Sequence, residues 1–127
     1  MFGRSTPSLA GRRVLVTGAA RGVGAALVRR LHDRGAHVAL AGLEPDQLAE
    51  VAASAGGAPW AACDVTERGE VEEAVALAVR ELGGLDVVVA GAGVAAQLPL
   101  VGGDPEIMEQ TLAVNVLGVY YTLRAAG

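Results

Sequence analysis

Lysine is absent from this chain: all ten basic residues are arginine, so no active site built from these 127 residues can include one. Cysteine occurs once, as Cys63, which excludes an intramolecular disulfide and a cysteine-rich metal set, fits a reducing cytoplasm, and leaves no metal site expected. Positive charge is in deficit, with a formal net charge of -4 and a pI near 5.1. Binding to a phosphate backbone needs clustered cations, so no nucleic-acid partner is expected. Long apolar runs are missing too. The longest, Val87 to Ala96, has ten residues and includes two glycines, well short of the ~20 that a membrane-spanning helix needs. Met1 to Gly11 carries Pro7 and small polar residues but no apolar core of a signal peptide, and residues 1–11 read as a short leader. A soluble protein with no membrane partner is the expectation.

What is present is ample apolar material: 52% of residues are hydrophobic against 19% charged. A chain of this length buries roughly two thirds of its unfolded surface around a single core. Short β-branched runs alternate with segments of helical period, the pattern of repeated strand-helix units on a parallel sheet. The fold class is therefore α/β, a Rossmann-type doubly wound parallel sheet with four strands. Arg13–Thr17 reads as the first strand, followed by a helix from Gly22 whose Val23, Leu27 and Leu31 are spaced four apart and which Gly35 stops. His37–Ala41 is the second strand, and Pro45 suits the first turn of a helix through Leu48 to Ala53. Trp60–Cys63 is the third, with a helix after Thr66 whose inner face is Val71, Val75, Val79 and Leu82, closed by Gly83-Gly84. Leu85–Ala90 is the fourth, of the buried parallel type. Asp104-Pro105-Glu106 then has the form of an N-cap with proline at the first helical position, opening one long helix towards Arg124.

The segment that carries chemistry is Thr17-Gly18-Ala19-Ala20-Arg21-Gly22-Val23-Gly24, because it lies directly between a strand and a helix. Glycines there let backbone approach a pyrophosphate, and the helix N-terminus supplies N–H donors and a favourable dipole. A tight turn with close helix-sheet packing is the plainer reading, which the strand-to-helix placement disfavours. A mononucleotide P-loop is excluded, since no Gly-Lys-Ser/Thr occurs. A methyltransferase using S-adenosylmethionine would want an acid at the end of the second strand, where Gly42 stands.

The glycine spacing is Gly-x-x-x-Gly-x-Gly. With Asp64-Val65 after the third strand, the Ala90-Gly91-Ala92-Gly93 turn after the fourth, and Asn115-Val116-x-Gly118 in the last helix, it resembles the short-chain dehydrogenase/reductase family from Arg12 to Gly127. The resemblance implies that Gly18, Gly22 and Gly24, with backbone around Arg21 and Val23, surround the phosphates of NAD or NADP. Asp64 and Val65 would contact the adenine, and Gly91, Ala92 and Gly93 would line the cofactor's other side. Asn115 would be the catalytic, helix-kinking asparagine of a water-mediated proton relay. Two positions depart from the family pattern. Gly91 stands where the family usually has asparagine, which removes a side-chain bond that steadies the sheet. Gly42 and Leu43 offer neither the acid that binds the ribose of NAD nor the base that favours NADP. Arg21 leans towards NADP through the affinity of guanidinium for phosphate, against an equal reading as a solvated loop arginine, while Glu44 could approach the ribose but reads better as a helix cap beside Pro45. His32, His37 and Cys63 read as surface, strand-edge and buried packing residues.

The family's serine and Tyr-x-x-x-Lys pair are expected beyond Gly127. Tyr120 and Arg124 sit four apart, as such a pair does on a helix face, but they share the helix of Asn115 and Arg replaces Lys, so the match is rejected. Residues 12–127 are accordingly expected to be an incomplete NAD(P)-binding Rossmann domain. The expected protein is an oxidoreductase interconverting a small-molecule alcohol and a carbonyl by hydride transfer, a homo-oligomer when full length. A non-catalytic NAD(P)-binding module, or an inactive truncated relative, is the alternative.

Overall fold

A computed structural model describes residues 8–127, so residues 1–7 of the expected leader lie outside the described part. The elements are β1 (Arg13–Thr17), α1 (Gly22–Asp33), β2 (His37–Gly42), α2 (Pro45–Ser54), β3 (Trp60–Ala62), α3 (Arg68–Leu82), β4 (Val87–Val89), α4 (Pro105–Leu112) and α5 (Gly118–Ala126), with a π-helical turn over Ala113–Leu117 between the last two. Ahead of β1, Leu9 packs on the core and the Gly11 N–H donates to the Gly35 carbonyl.

The strands form one parallel sheet in the order β3-β2-β1-β4. Side chains alternate between sheet faces, and here both faces are covered. Val14, Val16, Val38 and Leu40 pack under α1 and α2 with Val28, Leu48 and Val51. Leu15, Ala39 and Ala41 pack on the other side with Val71, Ala74 and Ala78 of α3. Burial on both sides explains why β1 and β2 read as unbroken apolar runs and not as alternating ones. Each fully buried Val or Leu contributes about 1.5–3 kcal/mol of transfer free energy.

Several expected details are corrected. Val23 is 86% exposed, because the face of α1 that meets the sheet is Ala25, Val28 and Leu31, and Val23 falls away from that row. On α3 the buried stripe is Val71, Ala74, Val75 and Ala78, with Val79 turned to solvent; the small alanines allow the close helix-sheet approach that Val79 was expected to fill. The third strand ends at Ala62, although the Cys63 N–H still donates to the Gly42 carbonyl at 2.7 Å. β4 is shorter than expected and its Val87 is exposed, because among the described residues only β1 pairs with it. Asp86, just before β4, is held by Arg13: Nε and Nη2 donate to the two carboxylate oxygens at 3.0 and 2.9 Å, and Nη1 donates to the Gly83 carbonyl at 2.7 Å. That fork ties the start of β1 to the turn entering β4. These hydrogen bonds hold the Asp86 carboxyl well below the usual carboxylate range.

Asp104 caps α4 as expected, accepting the Glu106 N–H at 3.0 Å with Pro105 in the first turn. The single long helix expected after it is interrupted. At Ala113–Leu117 the turn widens and the Gly118 N–H reaches back five residues to the Ala113 carbonyl. Asn115 sits in the middle of the widened turn, and such π insertions recur at functional sites.

Candidate functional site

Between β1 and β4 the chain reverses its direction of progress across the sheet, since β1 leads to β2 on one side while β4 lies on the other. In open α/β sheets, ligand crevices lie outside the carboxyl ends of the strands at such a switch point. A cleft of about 370 Å³ occupies that position, within the range of small-molecule sites.

The glycine turn after β1 forms one wall, contributing Gly18, Arg21, Gly22, Val23 and Gly24. Gly18 lies at φ +66, and a Cβ there would stand 2.7 Å from the Ala92 and Gly91 backbone, so its place is a close crossing of the β1 and β4 turns. Gly24 is equally confined by the Gly18 carbonyl. Gly22 differs: at φ +59 it would hold a Cβ in open space, leaving bare backbone on the cleft wall. Arg21, the N-cap of α1, makes no side-chain cap. The first N–H groups of an α-helix have no partner within it, so those of α1 are available to an anion, which the helix dipole also favours. The unhindered Gly22 backbone at a helix N-terminus fits a pyrophosphate.

The opposite wall comes from the turn after β4, where Gly91, Ala92 and Gly93 line the cleft. Thr17 steadies this turn. Its Oγ1 accepts the Gly91 N–H at 3.0 Å and the Ala92 N–H at 3.3 Å, and its own hydroxyl donates to the Val89 carbonyl at 3.4 Å. A Cβ at Gly91 would lie 2.7 Å from the Thr17 carbonyl, so this turn is closed tightly by backbone and by Thr17, without the expected family asparagine. Asn115 steadies the next residue: its Oδ1 accepts the Val94 N–H at 2.9 Å and its Nδ2 donates to the Val94 carbonyl at 2.7 Å.

Asp64 and Val65 close the far end. Asp64 Oδ1 accepts both the N–H and the hydroxyl of Thr66, at 2.9 and 2.7 Å, which fixes the bend into α3. Cys63 is buried beside them, and burial, followed by the Glu70 and Asp64 carboxylates, pushes its thiol up to about 11; it is a packed, protonated thiol.

All ten expected cofactor-contacting residues thus meet around one cleft, and Asn115 is joined to it through Val94. Sequence reasoning missed Ala20, Val94 and Val114 as lining residues. They carry no polar side chain, and only their adjacency to the motifs marks them. Glu44 is corrected as a cap: it occupies the N-cap position of α2 but makes no capping hydrogen bond, and forms an ion pair with Arg21 instead. Tyr120 is exposed, Arg124 pairs with Glu72 at 3.7 Å, and neither lines the cleft. Among the described residues no group of acidic, histidine or cysteine side chains is placed to hold a metal, and no helix is long and apolar enough to cross a membrane.

A family model described as short chain dehydrogenase matches residues 12–126. The chain belongs to that family. Among its curated relatives is a glucose 1-dehydrogenase from Gluconobacter oxydans, 39% identical over 91% of this chain and 45% of the relative. The solved short-chain dehydrogenases include one from Mycobacterium smegmatis, 32% identical with a TM-score of 0.90 over 94% of this chain and 52% of that one. A short-chain type dehydrogenase/reductase from Mycobacterium marinum is 33% identical with a TM-score of 0.89, covering 94% and 50%. The chain spans about half the length of the family members it matches.

Proposed function

We propose that this short-chain dehydrogenase segment is the dinucleotide-binding half of an oxidoreductase that interconverts an alcohol and a carbonyl with NAD or NADP. The observation that carries the reading is the pairing of bare Gly22 backbone at the start of α1 with the Thr17-braced turn after β4 across one cleft. The α1 N-terminus would hold the pyrophosphate, Asp64 and Val65 the adenine end, and Gly91 to Gly93 the other side. When bound, the nicotinamide supplies hydride transfer. Asn115 would keep the turn at Val94 in place beside it and, through the widened helix, join a proton relay.

The reading extends to a small-molecule substrate, to a homo-oligomeric full-length protein in the cytoplasm, and to the absence of nucleic-acid and membrane partners. The buried lone thiol supports a reducing compartment, and the acidic net charge supports the absence of a nucleic-acid partner. A second reading is dinucleotide binding without turnover; among the described residues Tyr120 and Arg124 do not line the cleft. Nicotinamide absorbance with a panel of alcohols and carbonyls separates the two: cofactor-dependent turnover supports the oxidoreductase, while binding without turnover by the whole protein supports the second.

A further inference from the structure

Two residues with opposite charge stand at the same rim of the cleft. Arg21 precedes α1 and Glu44 precedes α2, each just beyond the carboxyl end of neighbouring strands. Neither caps the helix it introduces. Their side chains instead meet, with Arg21 Nη2 3.7 Å from Glu44 Oε1. That separation is an ion pair without a direct hydrogen bond, so the guanidinium keeps its donors for a ligand.

Among the described residues, Arg21 is the one cation lining the cleft. Between the pair, β2 ends in Gly42, where a Cβ would already stand 3.2 Å from Leu48 Cδ2 and 3.4 Å from Ala20. The end of β2 is packed against carrying a side chain, and Leu43 next to it has no polar atom. The acidic charge at this rim therefore comes from Glu44. Asp64, the other acid among the described residues of the lining, is committed through Oδ1 to Thr66.

We propose that Glu44 is a specificity-determining residue: by pairing with Arg21 it biases the cleft towards the dinucleotide whose adenosine ribose carries a free 2'-hydroxyl. This rests on the dinucleotide reading above. In a dinucleotide cleft the ribose of the adenosine half lies near the end of β2. A 2'-phosphate there would be drawn to Arg21, for which phosphate is a natural partner. It would also meet the Glu44 carboxylate and compete with it for the same guanidinium. A 2'-hydroxyl meets neither penalty and can donate to the carboxylate. The pair is exposed, with side chains 77% and 37% accessible, so the bias is modest and weakens with salt.

The test compares adenosine 5'-monophosphate with adenosine 2',5'-bisphosphate as probes by calorimetric titration of the whole protein, at low and at physiological salt, with thermal melts confirming that each variant is folded. The wild type is expected to bind the probe without the 2'-phosphate about three- to tenfold more tightly. Glu44→Gln should swing the ratio several-fold towards the 2'-phosphorylated probe, most at low salt, and Arg21→Gln should weaken that probe selectively. In the double variant the gain from Glu44→Gln should shrink to the part that comes from relieving carboxylate-phosphate repulsion, which a purely structural role for Glu44 would not produce. An unchanged ratio in Glu44→Gln, or a swing of undiminished size in the double variant, overturns the role of the pair while leaving the nucleotide site standing. Failure of the folded wild type to bind either probe overturns both.

Discussion

Alanine at Gly18 and alanine at Gly22 form a matched pair of perturbations. Both glycines have left-handed backbone, at φ +66 and +59, so either substitution costs about 1–2 kcal/mol for that conformation alone. They differ in what the new methyl meets. At Gly22 it enters open space, whereas at Gly18 it stands 2.7 Å from Ala92 and Gly91 backbone atoms that cannot rotate away. Overpacking of that kind adds about 1–3 kcal/mol. For a domain of this size each kcal/mol lowers the melting temperature by roughly 3–6 °C. Gly22→Ala should thus melt about 3–12 °C below the wild type, and Gly18→Ala clearly lower still. Function is affected as well as stability. The methyl of Gly22→Ala covers backbone on the cleft wall, so dinucleotide affinity should fall at least tenfold, about 1.4 kcal/mol. Scanning calorimetry and nucleotide titration of the two variants read both quantities. Equal melting temperatures, or full affinity in folded Gly22→Ala, would refute the reasoning.

Three further outcomes follow from other parts of the molecule. Cys63 titrates near 9.0 when unfolded and near 11 in the fold; the fold holds the proton more tightly, so stability is unaffected below pH 9 and falls as the pH rises from there through 11. The thiol should resist alkylation at pH 8, and rapid modification of the folded protein would contradict its burial. Asp86 has the opposite sign: its lowered pKa contributes stability above the ordinary value of 3.8 that is lost as pH falls below it, so Asp86→Asn should flatten the acid limb of a melting-temperature profile, and an unaltered limb would count against the Arg13 fork. Asn115→Ala removes both hydrogen bonds to Val94, each contributing about 0.5–1.5 kcal/mol; amide exchange at Val94 should quicken and dinucleotide affinity should drop several-fold, and unchanged exchange would show that the turn is held by other contacts.

The strand-helix alternation was legible because β1 and β2 are buried on both faces and are therefore written as continuous β-branched and aliphatic runs. The glycine turn was legible because left-handed backbone and close crossings admit little else. What escaped depends on neighbours far apart in the chain. Val23 looks like a core residue by four-residue spacing, and only the docking of α1 through Ala25, Val28 and Leu31 turns it outward. The missing asparagine at Gly91 reads as a weakness until Thr17, 74 residues earlier, is seen to accept two backbone N–H groups there. Glu44 reads as a cap beside Pro45; its partner Arg21 becomes adjacent only because β1 and β2 pair in register. The widened turn at Asn115 has no signature in hydrophobic period and came from the family resemblance alone.

The central claim is that the cleft at the carboxyl ends of β1 and β4 binds a nicotinamide dinucleotide. The most direct test is a titration of the isotope-labelled protein with NADH followed by backbone amide NMR shifts. The account predicts saturable shifts concentrated at Gly22 to Gly24, Gly42 to Glu44 and Gly91 to Val94, with the outer face of α3 silent. Shifts confined to other surfaces, or none at millimolar NADH, would contradict it.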